Sequence, residues 1–482
     1  MTTTVIRDCA WIVAWDAAAG SHIYLRGGDV AFDGSSILAV GGRWDGVAER
    51  EIDGRARMVM PGLVNLHAHL MGGSLDKGTF DEVGAPGQWG HALYHLSPLL
   101  EDDAEGIAAN TKLAVAELLQ SGVTTVVDLG RAREGWLDLV ADTGIRGVIG
   151  AGFREAQWVD VGGHRVDYVW DEPAGRRAFD RALATVDAAE GHPSGRLTGM
   201  IAPAQIDTVS EALLRDAHAA AVERGMKLQV HAAQTMVEVM EMLRRHGLGA
   251  VSWLDHLGLL DERVILGHGI YLDHHTWNPL RTARELSMLA ERGVTVAHCP
   301  TVFARTGMTL QSFGRYVKSG VRMGIGTDSF PHNMLEELRH VGYLARVTVG
   351  DVHDHTTADV FSAATVGGAD ALGRSDLGRL AVGAKADLVL VDVEHPAMRP
   401  TREPIRSLII QAAERAVTDV FVGGTPVVQD GRCLTIDLDA EAAAAEAAQA
   451  RALERVPSLD AHGRGIDAIA PMAYPVRRSE SQ

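Results

Sequence analysis

Cysteine, clustered basic residues and long apolar stretches are all scarce in this chain of 482 residues. Its three cysteines, Cys9, Cys299 and Cys433, are too few and too scattered for a disulfide framework, which suits a reducing compartment. Lys and Arg number 45 against 63 Asp and Glu, so the formal net charge is −18. Because no basic block interrupts this acidic balance, surfaces for nucleic acid or for anionic membranes are not expected. No apolar run approaches the ~20 residues that span a bilayer, and the sequence therefore predicts a soluble, cytoplasmic protein.

Eight near-continuous apolar runs dominate the middle of the chain, and most of them end in a polar or histidine residue. Such runs are typical of strands that are buried on both faces, as in parallel sheets. Helical stretches separate them, and eight strand–helix units predict an α/β fold, a (β/α)8 barrel with its active site at the carboxyl ends of the strands. The predicted strands cover residues 59–70, 122–129, 146–153, 197–203, 227–231, 264–268, 294–298 and 323–328.

The two ends of the chain have a different pattern. Residues 4–58 and 376–436 contain short alternating segments separated by Gly and Asp turns, which indicate antiparallel strands. Neither end is long enough for a sandwich of its own, so we expect the two ends to combine. The predicted domains are a β-sandwich from residues 1–58 and 371–436, a catalytic barrel over 59–370, and an Ala-rich helix with a polar tail over 437–482.

Histidine and aspartate residues cluster where the predicted strands end. His67 and His69 are two residues apart on the first strand, so both point to the same face. His231, His268 and Asp328 end the fifth, sixth and eighth strands. Imidazole and carboxylate donors at one barrel mouth suit a divalent cation, Zn²⁺ best, with Fe²⁺, Mn²⁺ and Co²⁺ as alternatives.

Each of these residues has an ordinary structural interpretation when it is taken alone. A His-x-His pair is more often at the surface or in a capped core than a pair of ligands. A strand-end histidine such as His268 is commonly a satisfied polar residue, and Asp328 after Gly-Thr could be a helix N-cap. Their order on successive strand ends favours a shared site over coincidence.

Several strand-end motifs carry a family resemblance: MPGLVNLHAHL, LQVHAA, VILGHGI, VAHCPT and GIGTDS. With the flanking GRLAVGAKADLVLVD and VFVGGTPVVQDG, the chain resembles the amidohydrolase superfamily, metal-dependent hydrolases on a distorted TIM barrel. The resemblance covers residues 4–436 and is strongest to the branch with triazine hydrolases, phenylurea hydrolases and deaminases of the S-adenosylhomocysteine and guanine type. It implies that His67, His69, His231 and Asp328 are metal ligands, and that His268 lies at the metal-bound water or in its outer shell.

The end of the fourth strand bears on the number of metal ions. Binuclear members of the superfamily carry a bridging lysine or glutamate there, whereas this chain reads MIAPAQIDT, with neither residue at the strand end. Lys227 precedes the fifth strand, on the opposite side of the barrel. We therefore expect one divalent metal ion.

The chain departs from the deaminase pattern just after the fifth strand. Deaminases of this branch have His-x-x-Glu, whose glutamate moves a proton between water and the ring nitrogen, but here Gln234 follows His231 at that spacing. A glutamine amide can hydrogen-bond a substrate but cannot exchange a proton near neutral pH. Glu238, four residues on, is expected to be too remote to substitute. Deamination therefore becomes the alternative function, unless neighbouring loops supply another acid.

Hydrolysis with Asp328 as the proton carrier is the main expectation. A divalent ion held by imidazoles can lower the pKa of its water from about 15.7 towards about 7. Asp328 could accept that proton and return it to a leaving nitrogen, while His268 polarises the water or hydrogen-bonds the developing oxyanion. Amides, ureas and carbamates fit because only the departing amine must be protonated.

Loops at the barrel mouth are expected to contact the substrate. Phe303 stands where deaminases of this branch have a polar Ser-Asn pair, which favours a partly hydrophobic molecule. Cys299 is expected to point away from the lumen as buried packing, and His91 and His95 to form a plain surface pair. The predicted substrate-binding residues are Trp89, Arg154, Gln205, Gln234, His298, Phe303 and His332.

Three functions remain open at this level. The first is mononuclear metal-dependent hydrolysis of an amide, urea or carbamate. The second is a deaminase or dechlorinase acting on a nucleobase-like or triazine-like heterocycle, which would release ammonia or chloride instead of an organic amine. The third, a catalytically silent scaffold, is disfavoured because the set of metal ligands is complete. The resemblance also implies a homodimer that acts on a small molecule.

Overall fold

The computed structural model describes residues 3–73, 75–96, 98–100 and 103–477. Its strands are Thr3–Arg7 (β1), Trp11–Asp16 (β2), Ser21–Leu25 (β3), Val30–Asp33 (β4), Ser36–Val40 (β5), Arg50–Asp53 (β6), Arg57–Pro61 (β7), Leu63–Ala68 (β8), Val123–Gly130 (β9), Arg146–Phe153 (β10), Ala156–Val161 (β11), Arg165–Trp170 (β12), Leu197–Pro203 (β13), Leu228–Ala232 (β14), Val264–His268 (β15), Thr295–His298 (β16), Arg322–Ile325 (β17), Leu388–Asp392 (β18), Val417–Val422 (β19), Thr425–Gln429 (β20) and Arg432–Cys433 (β21).

The helices lie mostly between the barrel strands and pack around them. They are Leu93–Leu96 (α1), Ala104–Gln120 (α2), Trp136–Asp142 (α3), Glu172–Glu190 (α4), Glu211–Arg224 (α5), Met236–His246 (α6), Ala250–His256 (α7), Glu285–Arg292 (α8), Pro300–Ala304 (α9), Phe313–Lys318 (α10), Met334–Val349 (α11), Thr357–Ser362 (α12), Gly368–Ala371 (α13), Pro404–Ser407 (α14), Leu438–Leu459 (α15) and Ile466–Ile469 (α16). Short 3-10 or π turns cover Pro86–Gln88, Ile206–Thr208, Ala363–Gly367, Leu408–Ala412 and Ala413–Ala416.

Eight parallel strands close into a barrel in chain order, as the sequence predicts: β8, β9, β10, β13, β14, β15, β16 and β17. One face of these strands fills the lumen with Leu66, Val127, Met200, Ile265 and Ala297. The other face packs on the surrounding helices. Burial on both faces explains why the runs are almost continuously apolar.

The first predicted strand, residues 59–70, is in fact two strands that belong to different sheets. β7 joins the outer sheet and β8 joins the barrel. Gly62 lies between the two strands, and its amide donates to the main-chain oxygen of Asp387 at 2.9 Å. A Cβ at this position would lie 2.0 Å from Oγ1 of Thr124, so a side chain does not fit. The apolar pattern conceals this break since both strands are buried.

The two chain ends combine into sheets beside the barrel. A seven-stranded sheet has the order β21-β20-β19-β18-β7-β2-β3, and a four-stranded sheet has the order β5-β4-β1-β6. Strands from both ends pair directly, because β18 is antiparallel to β7. The fold prediction of a barrel with a small β unit from both ends is therefore confirmed.

A hairpin that the sequence analysis did not predict is inserted after the third barrel strand. Its strands β11 and β12 pair with each other, with Trp158 opposite Tyr168. The hairpin is anchored at the barrel by the buried carboxylate of Asp207, whose Oδ2 accepts from Nε1 of Trp158 at 3.1 Å and from the hydroxyl of Tyr168 at 2.7 Å. It therefore forms part of the layer above the strand ends.

The Ala-rich segment forms the helix α15, Leu438–Leu459. It packs on α2, and Nε of Arg451 lies 2.7 Å from Oδ2 of Asp103, the N-cap of α2. None of the helices in the described ranges combines the length and the apolar character needed to cross a membrane.

Candidate metal centre

The side chains predicted to bind or adjoin a metal meet at the carboxyl ends of the barrel strands. Their ligand atoms form two groups, in each of which all atoms lie within 4.8 Å of one another. The groups are His67, His69 and His231, and His67, His268, Cys299 and Asp328. His67 belongs to both groups and is fully buried. The convergence expected from the strand order is therefore present.

Oxygen acceptors fix the tautomer of three of these imidazoles. Nδ1 of His67 lies 2.5 Å from Oε1 of Gln229, whose Nε2 is oriented by the main-chain oxygen of Leu66. Nδ1 of His69 and Nδ1 of His231 lie 2.8 and 2.5 Å from main-chain oxygens at the ends of β9 and β13. A carbonyl oxygen only accepts, so Nδ1 carries the proton and Nε2 has a free lone pair, the arrangement found in metal-binding histidines. The sequence analysis did not identify Gln229, although it lies two residues before His231 and therefore on the same face of the strand.

The free lone pairs fit a bound cation. Nε2 of His69 and Nε2 of His231 are 3.1 Å apart, and Nε2 of His67 has no hydrogen-bond partner in the described structure. Because the hydrogen of each neutral ring is on Nδ1, these lone pairs would repel one another without a positive charge between them. Two ligands of one tetrahedral zinc ion, with bonds of about 2.0–2.1 Å, lie about 3.3 Å apart. The observed spacing therefore suits a shared divalent ion.

Asp328 faces the same histidines from the opposite side of the cluster. Its Oδ1 lies 3.5 Å from Nε2 of His69, and its Oδ2 lies 3.6 Å from Nε2 of His268. Asp328 and His268 have φ angles of +58° and +84°, values that residues other than glycine rarely adopt. Neither ring nitrogen of His268 has a partner within the described residues. Backbone strain of this kind concentrates at functional sites.

Hydrogen bonds between the first and eighth strands hold the ligands in place. Nδ2 of Asn65 donates to Oγ1 of Thr327 at 2.7 Å, and Oδ1 of Asn65 accepts from the amide of His67 at 3.2 Å. The amide of Asp328 donates to the main-chain oxygen of His67 at 2.9 Å, and the amide of His69 donates to that of Asp328 at 2.8 Å. These bonds explain how the segment after the short β17 can present the carboxylate of Asp328 to His69 and His268.

Burial sets the charge states of the cluster. It lowers the pKa of His231 to about 3, and it lowers the pKa of His67 and of His268 well below the usual range, with neighbouring histidines adding to each shift. Burial also raises the pKa of Asp328, while His69 and Arg305 oppose that shift. The three buried histidines are therefore neutral near pH 7, as metal ligands must be.

Cys299 has the opposite orientation to the one predicted. Its sulfur lies within 4.8 Å of ligand atoms of His67, His268 and Asp328. The prediction was wrong about this side chain because a strand that is buried on both faces gives no sign of its phase. His298 is 3% exposed, its ring lies 6.2 Å from that of Phe313, and its Nδ1 has no hydrogen-bond partner among the described residues. Contact of His298 with substrate stays a prediction.

Phe303 forms an apolar wall beside the cluster. Its ring lies 4.7 Å from that of His268 and 5.7 Å from that of His91, and it is 2% exposed. His91 and His95 are not the surface pair that the spacing suggests. The loop after β8 folds over the barrel mouth, which buries the free Nε2 of His91 and places His95 Nδ1 2.8 Å from Asp160.

Gln205 and Gln234 flank His231. Gln205 bridges to the backbone of His231, and its Oε1 is buried without a partner in the described structure. Gln234 is 8% exposed, and its side-chain amide makes no hydrogen bond to the described residues. Glu238 lies in the first turn of α6 and accepts from the amides of Ala233 at 2.6 Å and Gln234 at 2.9 Å. Those two bonds occupy its carboxylate.

The other predicted substrate residues are more dispersed. His332 is buried, and its Nδ1 lies 2.8 Å from Oγ1 of Thr327, the residue before Asp328. Arg154 lies at the base of the hairpin, 5.8 Å from the centre of the Trp158 ring. Trp89 is 44% exposed and follows the 3-10 turn Pro86–Gln88. Only a subset of the predicted contacts therefore adjoins the histidine cluster.

Known proteins resemble this chain over most of its length. A 5-methylthioadenosine/S-adenosylhomocysteine deaminase from Natronomonas pharaonis is 31% identical over 444 residues, which cover 90% of this chain and 96% of the relative. A 5'-deoxyadenosine deaminase from Methanosphaera stadtmanae is 28% identical, covering 81% and 87% of the two chains.

Solved structures share the fold. An adenosine deaminase from Xanthomonas campestris with bound zinc has a TM-score of 0.78 and 26% identity, covering 93% of this chain and 98% of its own. Atrazine chlorohydrolase from Arthrobacter aurescens TC1, complexed with zinc, has a TM-score of 0.78 and 22% identity, covering 92% and 100%. The model of the amidohydrolase family matches residues 58–427. The chain is thus a member of the amidohydrolase family, a hydrolase of carbon–nitrogen bonds.

Proposed function

We propose that this enzyme uses one divalent metal ion, Zn²⁺ in preference to Fe²⁺, Mn²⁺ or Co²⁺, to hydrolyse an amide, urea or carbamate of a small, partly hydrophobic molecule. The observation that carries the proposal is that Asp328 is the one carboxylate in the two ligand groups of the described residues. Gln234 stands where the deaminase pattern has a glutamate, and it cannot transfer a proton near neutral pH.

The ligand set defines how the residues divide the work. His67, His69, His231 and Asp328 would hold the ion, which supplies an activated water when bound. The carboxylate oxygen of Asp328 that does not hold the ion takes up a proton and delivers it to the departing nitrogen. The unpartnered ring of His268 hydrogen-bonds the reacting carbonyl. A single proton carrier suffices when the leaving group is an amine.

The apolar wall at the site supports a partly hydrophobic substrate. Phe303 is buried against His268, so a substrate group next to this histidine loses contact with water. The free Oε1 of Gln205 offers an acceptor to an N–H of the substrate on the other side of His231. Together these contacts favour an N-aryl or N-alkyl amide or urea.

Deamination of a purine-like heterocycle is the second candidate, and the names of the relatives favour it. A deaminase is 31% identical to this chain over 444 residues. Because its product is ammonia instead of an organic amine, the two candidates are distinguishable by what nitrogen compound is released.

The decisive experiment begins with metal analysis of the purified full chain. The zinc-loaded enzyme is then incubated with N-acyl, urea, carbamate and aminoheterocycle compounds, and amine and ammonia are measured separately. Release of an organic amine, lost in Asp328→Asn, is the expected result. Release of ammonia alone from an aminoheterocycle would replace the first function by the second. Two ions per chain would contradict the mononuclear site.

A cytoplasmic homodimer is the remaining part of the proposal. The scarcity of cysteine supports a reducing compartment, and the acidic balance disfavours nucleic acid and anionic membranes as partners. Light scattering of the full chain at micromolar concentration measures the oligomeric state, and a monomeric mass would contradict the homodimer.

A further inference from the structure

A second cavity with a basic lining lies away from the metal cluster. It has a volume of about 590 Å³ and opens between the end of α11, the start of α12 and the helix α14. This volume is within the range of roughly 300–1,000 Å³ that is typical of small-molecule sites. The polar residues that line it include Arg346, Arg402, Arg406, His355, Thr357 and Ser407.

Positive charge exceeds negative charge among the residues that line this cavity. Three arginines line it against one carboxylate, that of Glu403, so the formal charge of the lining is 3 − 1 = +2, although the whole chain carries −18. The nearby carboxylates of Asp351, Asp354 and Asp359 are engaged by His353, His355 and Thr356. Glu403 is already engaged, because its two oxygens accept from the hydroxyl of Tyr24 and from the amide of Arg406. The guanidinium groups of Arg402 and Arg406 are exposed and form no ion pair with the described residues.

A buried donor without a partner points to an anion in the same cavity. Nη2 of Arg346 donates to the main-chain oxygen of His355 at 3.1 Å, while Nε of Arg346 is buried and has no partner in the described structure. Leaving this donor unsatisfied costs free energy, which an acceptor in the cavity would restore. The buried His355 places its Nδ1 2.9 Å from Oδ2 of Asp354 and contributes no donor to the anion.

We propose that this cavity binds a phosphate-bearing small organic anion. Guanidinium groups recognise phosphate oxygens through paired, charge-assisted hydrogen bonds. Arg346, Arg402 and Arg406 surround the space, and a phosphate group has enough acceptor oxygens to meet several of these donors at once. Tyr343 and Val352, both exposed at the rim, offer apolar contact to the organic part of the ligand. The site shares no residue with the metal cluster.

The test measures anion binding to the zinc-loaded full chain by isothermal titration. Inorganic phosphate and phenyl phosphate are titrated at an ionic strength held constant with sodium chloride. We expect one binding event per chain, tighter for phenyl phosphate. The double variant Arg402→Ala/Arg406→Ala should bind both probes about tenfold more weakly or worse. Arg432→Ala removes an exposed, unpaired arginine elsewhere and should bind as the original chain does.

Two results would overturn the proposal. One is the absence of any binding of either probe to the original chain. The other is binding that the double variant retains at full affinity, because that would locate the anion elsewhere, including at the metal cluster. Hydrolase activity without phosphate should be the same in the original chain, the double variant and the control, since none of the substituted arginines belongs to the metal centre.

Discussion

Single atoms at the barrel mouth decide what chemistry this site can perform. The Nδ1 protons of His67, His69 and His231 are held by oxygens, so all three Nε2 lone pairs are presented together. One carboxylate, Asp328, accompanies them. The glutamine at position 234 can accept or donate a hydrogen bond but carries no transferable proton. This donor set is the reason for proposing that the site binds a cation and moves one proton at Asp328.

Replacing His67 should release the metal. His67 belongs to both ligand groups, so His67→Ala removes a donor from each of them. We expect less than about a tenth of the metal content of the original protein after gel filtration, with activity lost in proportion. His164→Ala, which removes an exposed histidine of the hairpin turn, is the control and should retain its metal. Full metal content in His67→Ala would contradict the assigned ligand set.

Gln234 and Asp328 should respond differently to substitution. Gln234→Ala removes at most hydrogen bonds to substrate, so KM should rise up to about tenfold with kcat nearly unchanged. Asp328→Asn removes the proton carrier and should lower kcat by about 10²–10⁴. Steady-state kinetics at saturating zinc separate the two effects. A loss of kcat in Gln234→Ala as deep as in Asp328→Asn, with metal still bound, would show that Gln234 takes part in the chemistry.

At the scale of the strand, small residues make room for the ligands. A Cβ at Gly267, in the sixth barrel strand, would lie 2.9 Å from Cε1 of His67, and one at Gly326 would lie 2.6 Å from the main-chain oxygen of His67. Gly267 therefore leaves room for the His67 ring, and Gly326 leaves room for the His67 backbone. The space that glycines leave in neighbouring strands positions the strand ends, together with the hydrogen bonds between strands.

Gly267→Ala tests this packing. The added methyl group should displace the His67 ring and lower zinc affinity, with an overpacking cost of about 1–3 kcal/mol. Competition with a zinc chelator measures the affinity. Gly191→Ala is the matched control, because its added Cβ meets no atom closer than 3.8 Å. Equal zinc affinity in the two variants would mean that the strand adjusts without moving the ligand.

At the scale of the whole molecule, a buried ion pair joins the barrel to the β unit of the chain ends. Nε and Nη2 of Arg146, at the start of β10, donate to the two carboxylate oxygens of Asp387 at 3.1 Å each. Both side chains are less than 10% exposed. Asp387 also accepts from the amide of Gly423. Such a pair makes the relative placement of the two parts specific.

Breaking this pair on one side should destabilise the protein more than removing both partners. Arg146→Met leaves a buried carboxylate uncompensated and should cost about 3–5 kcal/mol in the free energy of unfolding. The double variant Arg146→Met/Asp387→Leu should lose less free energy of unfolding than Arg146→Met. Urea unfolding of the original chain, the two single variants and the double variant measures this difference. Arg165→Met, which breaks an exposed pair with Asp167, should cost about 0–1 kcal/mol. Additive effects of the two buried substitutions would contradict a coupled pair.

His22 should make stability depend on pH. Burial, aided by the charge of Arg379, lowers the pKa of His22 to about 4. Nε2 of His22 lies 3.0 Å from Oγ1 of Thr365. The unfolded chain binds a proton at about pH 6.5, so the stability present above that pH falls as pH decreases towards 4. His22→Gln should show a shallower loss of unfolding free energy between about pH 7 and 5. An identical slope in both proteins would contradict this contribution.

The sequence by itself determined the barrel, the histidine and aspartate residues that meet at its mouth, and the departure at Gln234. Buried parallel strands have a continuous apolar pattern, and strand ends are visible as the polar residues that follow them. Tertiary structure alone decided the break at Gly62 and the inward turn of Cys299. The reason is that a run buried on both faces has no polar face to mark its phase, so only contact with neighbouring strands selects which side chains enter the lumen.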